Sequence, residues 1–302
     1  MIGKLLICIV LGAFGAGAAA ADESWYVSSD IQGLATGFTG SVDRDNLGLA
    51  GVFITADYLD RGGVAFGFNA TRLNFVAGGF DTAQRNAYLS LRRTLNPDWL
   101  PGTLKLRLDG HSANNDTPAS GTDDVSVIAP MLSFLNYRQT FYLDVGYSES
   151  TYGANADFPA ALTVRQLTPT IGFGFNDRYD WLQLRAYRIR LSNAARAEGL
   201  RRTSAVELKW THWFEGRGPL GADNLRVSAL GGERIFAVDP DAAAVYNLAD
   251  RQTGGFALGA EWRLGDRNRV LLLVAGERYD DRVSGDRYRS TSVYLNWHRN
   301  WN

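Results

Sequence analysis

Thr103-Leu104-Lys105-Leu106-Arg107-Leu108-Asp109 places a leucine at every second position, with a hydroxyl or charged side chain between each pair. Successive side chains of an extended strand point to opposite faces, so this segment has one apolar face and one wet face. In a soluble sandwich the leucines would pack on a second sheet. In a membrane barrel they would face acyl chains, and Lys105, Arg107 and Asp109 would face an aqueous lumen.

The same beat fills the chain from Trp25 to Trp301. Period-two alternation predicts fourteen strands, near 24–36, 47–59, 63–74, 83–95, 103–112, 123–134, 138–149, 161–175, 179–191, 201–214, 224–236, 252–264, 268–280 and 287–301. Phe141, Leu143, Val145 and Tyr147 alternate with Thr140, Tyr142, Asp144 and Gly146, whereas 123–134 and 268–280 leave the register open because stretches such as Val270 to Val274 are apolar on both faces. The fold class is all-β, a transmembrane antiparallel up-and-down β-barrel of about 14 strands.

The junctions support a barrel over a sandwich. Counted from an N-terminus in the periplasm, even-numbered junctions are mostly tight, as at Asp60-Arg61-Gly62, Leu135-Asn136-Tyr137, Asn176-Asp177-Arg178 and Gly265-Asp266-Arg267. Odd-numbered ones are longer, as at 113–122 and 237–251; the long turn 215–224 and the short loop 281–286 depart from the rule. Short turns on one side and longer loops on the other characterise outer-membrane barrels. Trp25, Tyr58, Trp99, Tyr137, Phe175, Trp213, Trp297 and Trp301 fall near the tight-turn side, as an interfacial girdle would.

Segment 1–21 carries Lys4, an apolar run from Leu5 to Phe14 and a small-residue tract, the layout of a cleavable secretory signal. Its apolar run is well short of the roughly 20 residues that span a bilayer. The expected organisation is a signal peptide at 1–21 and an outer-membrane barrel at 22–302. Cys8, the single cysteine, lies in the signal, so disulfides, zinc-thiolate sites and cysteine nucleophiles are excluded from the mature chain. A formal charge of −1 argues against a nucleic-acid partner.

The pattern resembles Gram-negative outer-membrane β-barrels. Ser292-Val293-Tyr294-Leu295-Asn296-Trp297-His298-Arg299-Asn300-Trp301-Asn302 looks like the terminal strand that barrel-assembly machinery recognises, although such signals end on an aromatic residue and here Asn302 follows Trp301. The strand count resembles monomeric porins and long-chain fatty-acid channels. The latter carry an N-terminal plug, for which strand-like sequence beginning at Ser24 leaves no room. From about Leu162 the chain is similar to YaiO-type barrels, through Trp181-Leu182-Gln183-Leu184-Arg185-Ala186-Tyr187 and Gly285-Asp286-Arg287-Tyr288-Arg289-Ser290. These resemblances imply residence in the cell outer membrane, contact with its lipid and lipopolysaccharide, and assembly through the C-terminal strand. A monomer is favoured, with the oligomeric state open.

Assigning apolar faces to lipid turns Arg92, Lys105, Arg107, Asp109, Gln183, Arg185, Glu207, Lys209, Arg226 and Arg234 to the lumen, with Thr168, Thr170, Ser228, Ser290 and Ser292. Cations outnumber anions in this set, and a basic lumen concentrates anions. The expected function is a passive, porin-like channel for small hydrophilic solutes, anionic or saccharide-like. If the same charges pair across the lumen, the alternative is a closed structural or surface-interaction barrel associated with envelope polysaccharide. A third reading is a lipid-modifying enzyme using Ser and His. Against it, His111 points inward while Ser112 points outward, His212 lies on the lipid side, and His298 sits near the periplasmic end, none with a serine or carboxylate partner in sequence.

Inward glycines at 146, 172, 174, 255 and 259 either leave room in the lumen or mark strand curvature. Acidic clusters at Asp43-Arg44-Asp45, Asp123-Asp124, Asp239-Pro240-Asp241 and Asp280-Asp281 are placed in outer loops and match no calcium-loop spacing. No catalytic residue, metal or cofactor is assigned.

Overall fold

The computed structural model describes residues 25–302, apart from 60, 77–80, 118–120, 156, 242–243, 246–249 and 282–284. The expected signal at 1–21 lies outside the described residues. The strands are β1 (Trp25–Thr39), β2 (Arg44–Tyr58), β3 (Gly62–Phe75), β4 (Thr82–Leu95), β5 (Gly102–Asn115), β6 (Val125–Asn136), β7 (Phe141–Tyr152), β8 (Leu162–Phe175), β9 (Asp180–Leu191), β10 (Arg202–Trp213), β11 (Asn224–Arg234), β12 (Val238–Asp239), β13 (Ala244–Val245), β14 (Arg251–Leu264), β15 (Asn268–Asp281) and β16 (Asp286–Asn300).

Fourteen of these form one closed antiparallel barrel, in which β11 pairs directly with β14, and β1 with β16. The β1–β16 seam runs in register from Ser28 opposite Asn300 to Thr39 opposite Arg289. β12 and β13 form a separate two-stranded hairpin. Closure leaves no strand edge unpaired, which lets a sheet cross a hydrocarbon layer.

The pleat sorts the faces as alternation requires. Leu104 pairs with Phe134 and Leu106 with Leu132, all outward. Leu106 is 44% exposed, and an exposed aliphatic belt continues through Leu132, Leu143, Leu184, Leu208, Leu258, Val274 and Leu295. Soluble monomers seldom expose a continuous apolar patch beyond a few hundred Å². This belt is therefore the surface that meets acyl chains. At the rim carrying the tight turns, Trp25, Trp99, Tyr137, Phe175, Trp213, Trp297 and Trp301 are exposed.

Strand boundaries differ from the sequence reading by up to three residues, and two of the differences have a visible local cause. β7 starts at Phe141 rather than 138, because Asn136 accepts hydrogen bonds from the Thr140 and Phe141 amides at 2.8 and 3.0 Å and Gln139 turns through φ 55°. β11 stops at Arg234 rather than 236. Phe236 adopts φ 51°, a left-handed turn that sends the chain into the barrel.

A second apolar cluster therefore lies inside. Val125, Val127, Tyr152, Leu162, Val164, Ile189 and Leu191, inward at the loop-rim ends of β6 to β9, enclose Ile235, Phe236, Ala237 and Val238. The rings of Tyr152 and Phe236 pack with centroids 4.9 Å apart. Each large apolar side chain fully buried here contributes about 1.5–3 kcal/mol. Buried Arg196, in the connection between β9 and β10, donates to the carbonyls of Gly121, Gly153 and Ala160 at 2.7, 2.7 and 3.2 Å, tying neighbouring loops together.

Candidate functional site: a constriction in the lumen

Segment 235–250 departs the wall at β11, and its described residues 235–241 reach across the lumen to β5. Its near part is fixed to four strands. The Gln166 amide on β8 pairs with the backbone of Val238 in both directions, donating to the carbonyl at 2.6 Å and accepting from the N–H at 3.1 Å. Arg107 on β5 donates to the Pro240 carbonyl at 2.6 Å. Arg185 on β9 reaches Asp241 at 2.9 Å, with Asp239 and Asp144 each 3.8 Å away and Thr170 accepting from Nε at 2.9 Å. Lys209 on β10 completes the cluster, 2.7 Å from Asp241 and 3.3 Å from Glu207.

Beyond this cluster, Asp250 pairs with Arg44 on β2 at 2.5 Å and accepts a hydrogen bond from the Tyr288 hydroxyl on β16. The segment is thus held at both sides of the barrel. Burial opposes ionisation of Asp241, yet Lys209 and Arg185 beside it hold its carboxyl well below the usual range. Burial pushes the Asp250 carboxyl up, against the pull of Arg44.

All nine charged residues expected in the lumen lie on inward-facing positions. Arg107, Asp109, Arg185, Glu207 and Lys209 gather at the constriction, where Asp109 is 2.7 Å from Arg107 and Glu207 accepts from the Tyr187 hydroxyl at 2.9 Å. Arg234, just above, donates to Gln252 and stacks over Tyr187 at 5.4 Å. The others stand apart. Arg92 pairs with Asp57 at 3.0 Å and Arg226 with Glu261, both nearer the turn rim, and Lys105 is exposed on the Ser133 rung.

Asp239-Pro240-Asp241 is not an outer-loop cluster. It lies in the lumen as counter-charge to Arg185 and Lys209, which offsets the cationic excess read from the wall alone. The signal was present in sequence: Ile235-Phe236-Ala237-Val238 is an apolar tetrad just before an acidic pair, unneeded in a solvated loop. Among the described residues, no group of three or more His, Cys, Asp or Glu could hold a metal ion.

The opposite wall is different. Leu34 on β1 pairs with Tyr294 on β16 and Leu49 on β2, and Leu273 on β15 pairs with Tyr294, all on inward, half-buried positions. In 268–280, Leu271 and Leu273 face the lumen while Val270, Leu272 and Val274 face lipid, so apolar residues line part of the inside as well. The inward glycines of β8 and β14 leave no void: the Trp181 ring lies 2.7 Å from a Cβ built on Gly172, and the Leu273 side chain occupies the space beside Gly259.

His212 and His298 find carboxylates on neighbouring strands, Asp180 at 2.8 Å and Asp30 at 3.1 Å. His111 packs on Tyr88 with ring centroids 4.9 Å apart. Among the described residues no histidine is hydrogen-bonded to a serine, so the nucleophile-base pair of a lipid hydrolase is not assembled.

No protein-family model and no curated protein matches this chain. Solved structures share the barrel at low identity. A FadL homologue from Pseudomonas aeruginosa aligns over 93% of this chain and 91% of its own, with TM-score 0.53 and 11% identity. The Pseudomonas putida toluene transporter TodX aligns over 93% and 90%, with TM-score 0.51 and 10% identity. Omp33 of Acinetobacter baumannii aligns over 91% and 99%, with TM-score 0.45 and 9% identity. The fold is that of a Gram-negative outer-membrane barrel. A YaiO-type affinity of the C-terminal half is not among these findings.

Proposed function

We propose that this protein is a passive outer-membrane channel for small hydrophilic solutes, with residues 235–241 and the wall side chains they meet as its constriction. The turn rim faces the periplasm and the loop rim the cell exterior, after export with a cleaved signal at 1–21. The observation that carries the reading is the uneven attachment of the constriction, dense along one wall and, among the described residues, tied to the other by Asp250 at the loop rim. The constriction packs against β5 to β10 and leaves the wall formed by β15, β16, β1 and β2 half-exposed.

The solute passes between a charged wall and a leucine-tyrosine wall. A saccharide suits such a slot, since its C–H face can lie on Leu34, Leu273 and Tyr294 while its hydroxyls meet Arg107, Lys209 and Asp241. Simple anions are less well served, because Asp239 and Asp241 offset Arg185 and Lys209. Charged groups at the narrowest point also disfavour hydrocarbon cargo of the kind that TodX is described as carrying.

Planar-bilayer recording of the purified protein tests the proposal. Discrete conductance steps, and liposome swelling that falls with sugar size, are expected. Absence of both would establish instead a closed barrel in which the same ion pairs fill the pore.

A further inference from the structure

On β8 to β10, four arginines stand outside the lumen, on the lipid-facing wall at the loop rim. Arg165 on β8 lies directly opposite Arg190 on β9, and Arg190 lies directly opposite Arg202 on β10. Arg188 is two residues along the same face as Arg190, on the rung of Leu167 and Ser204. All four are exposed. Arg165 pairs with Glu149 at 2.8 Å, and no ion pair reaches the other three among the described residues.

This placement is costly for the protein alone. Residues directly opposite across antiparallel strands hold their Cβ atoms about 4.5–5.5 Å apart, and like charges there destabilise the sheet. Leu184 and Val206, further along the same outward faces, belong to the aliphatic belt. The arginines therefore begin where the acyl-chain region ends, in a zone of lower dielectric than water. There the repulsion is stronger, and so is the attraction for an anion.

We infer that Arg188, Arg190 and Arg202, with Arg165, form a binding surface for the phosphates of a lipid A headgroup in the outer leaflet. Phosphate matches the requirement in charge and shape: guanidinium groups bind it bidentately, and the two phosphates of one glucosamine disaccharide can bridge neighbouring strands. Acyl chains of the same molecule would run down over Leu184 and Val206. The occupant is a lipid because the arginines share the face of the aliphatic belt, away from the lumen. The inference does not depend on the channel reading.

The test uses the full barrel refolded in detergent and titrated separately with lipid A, dephosphorylated lipid A, inorganic phosphate and phosphatidylglycerol vesicles. Lipid A is expected to bind at least tenfold more tightly than the dephosphorylated form. The triple variant R188Q/R190Q/R202Q is expected to lose at least tenfold in affinity and the lysine triple variant, which keeps the charge without the bidentate fork, a smaller amount, whereas R93Q, on the outward face of β4 near the turn rim, stays within about threefold. Equal binding of lipid A and dephosphorylated lipid A would overturn the inference, as would binding to inorganic phosphate or phosphatidylglycerol as tight as to lipid A. The wild-type comparison decides the matter even if the glutamine triple variant fails to fold.

Discussion

Arg185 and Asp241 meet at 2.9 Å across 56 residues of sequence, one on the barrel wall and the other on the segment that crosses the lumen. The guanidinium is almost fully buried, with a side-chain exposure of 2%, whereas the carboxylate is 44% exposed. The two partners therefore differ in what their removal does.

Replacing Arg185 with Gln leaves Asp144, Asp239 and Asp241 without their shared cation. Removing one partner of a buried charge cluster costs about 3–5 kcal/mol. The expected outcome is a lower urea midpoint for unfolding in detergent micelles, with the constriction loosened before the wall. An unchanged midpoint would mean that the cluster contributes little to holding the segment.

Asp241→Asn is milder, because the carboxylate is partly solvated and such pairs contribute about 1 kcal/mol or less. Its effect falls on permeation. Lys209 and Arg185 lose a counter-charge, so the reversal potential in a salt gradient should move toward anion preference and single-channel conductance should rise. A reversal potential identical to wild type would place the permeation path elsewhere.

The two ends of the segment should release at different pH. The Asp250 carboxyl titrates above its ordinary value, so protonation favours the folded state and the Arg44 tie weakens in mild acid. The Asp241 carboxyl titrates below its ordinary value, so the stability from its pairing is present above the unfolded value of about 4 and is lost only in stronger acid. Open-channel noise should therefore increase between neutral and mildly acidic pH, and D250N should abolish that increase. A D250N channel that keeps the transition would assign it to another group.

Leu106→Arg tests which side faces lipid. An arginine on the outward face at mid-bilayer costs about 2–4 kcal/mol. Lys105→Leu, one residue away on the lumen face, should shift stability by no more than about 0.5 kcal/mol. Equal penalties at both positions would contradict the outward assignment of the leucine ridge.

The wall was legible because a barrel imposes one rule on every strand. Thr103 to Asp109 alternates without exception, and fourteen such segments with unequal junctions admit few other folds. The register of Val270 to Val274 was not legible, since both faces there are apolar and only pairing with β14 and β16 decides which leucines turn inward. The constriction was hidden for a different reason. Phe236 reads as one more strand position, and nothing local marks its left-handed turn. Once Ile235 to Val238 leave the wall, the inward valines and leucines of β6, β8 and β9 acquire a partner. Their apolar character on the inward face is the trace the segment leaves in the sequence. The facing of side chains on single strands follows from alternation, whereas the charge balance of the lumen depends on Asp239 and Asp241, which reach it only through the tertiary path of the loop.

The seam between β1 and β16 bears on how the molecule comes to exist. Its two halves are the first and last strands of the barrel, so it cannot be sealed until β16 has been made and delivered. Until that moment the sheet has two raw edges, each a template for pairing with another chain. Joining residues so distant in sequence is also slow on entropic grounds. Loss of β16 would therefore give an open, adhesive ribbon rather than a slightly smaller cylinder.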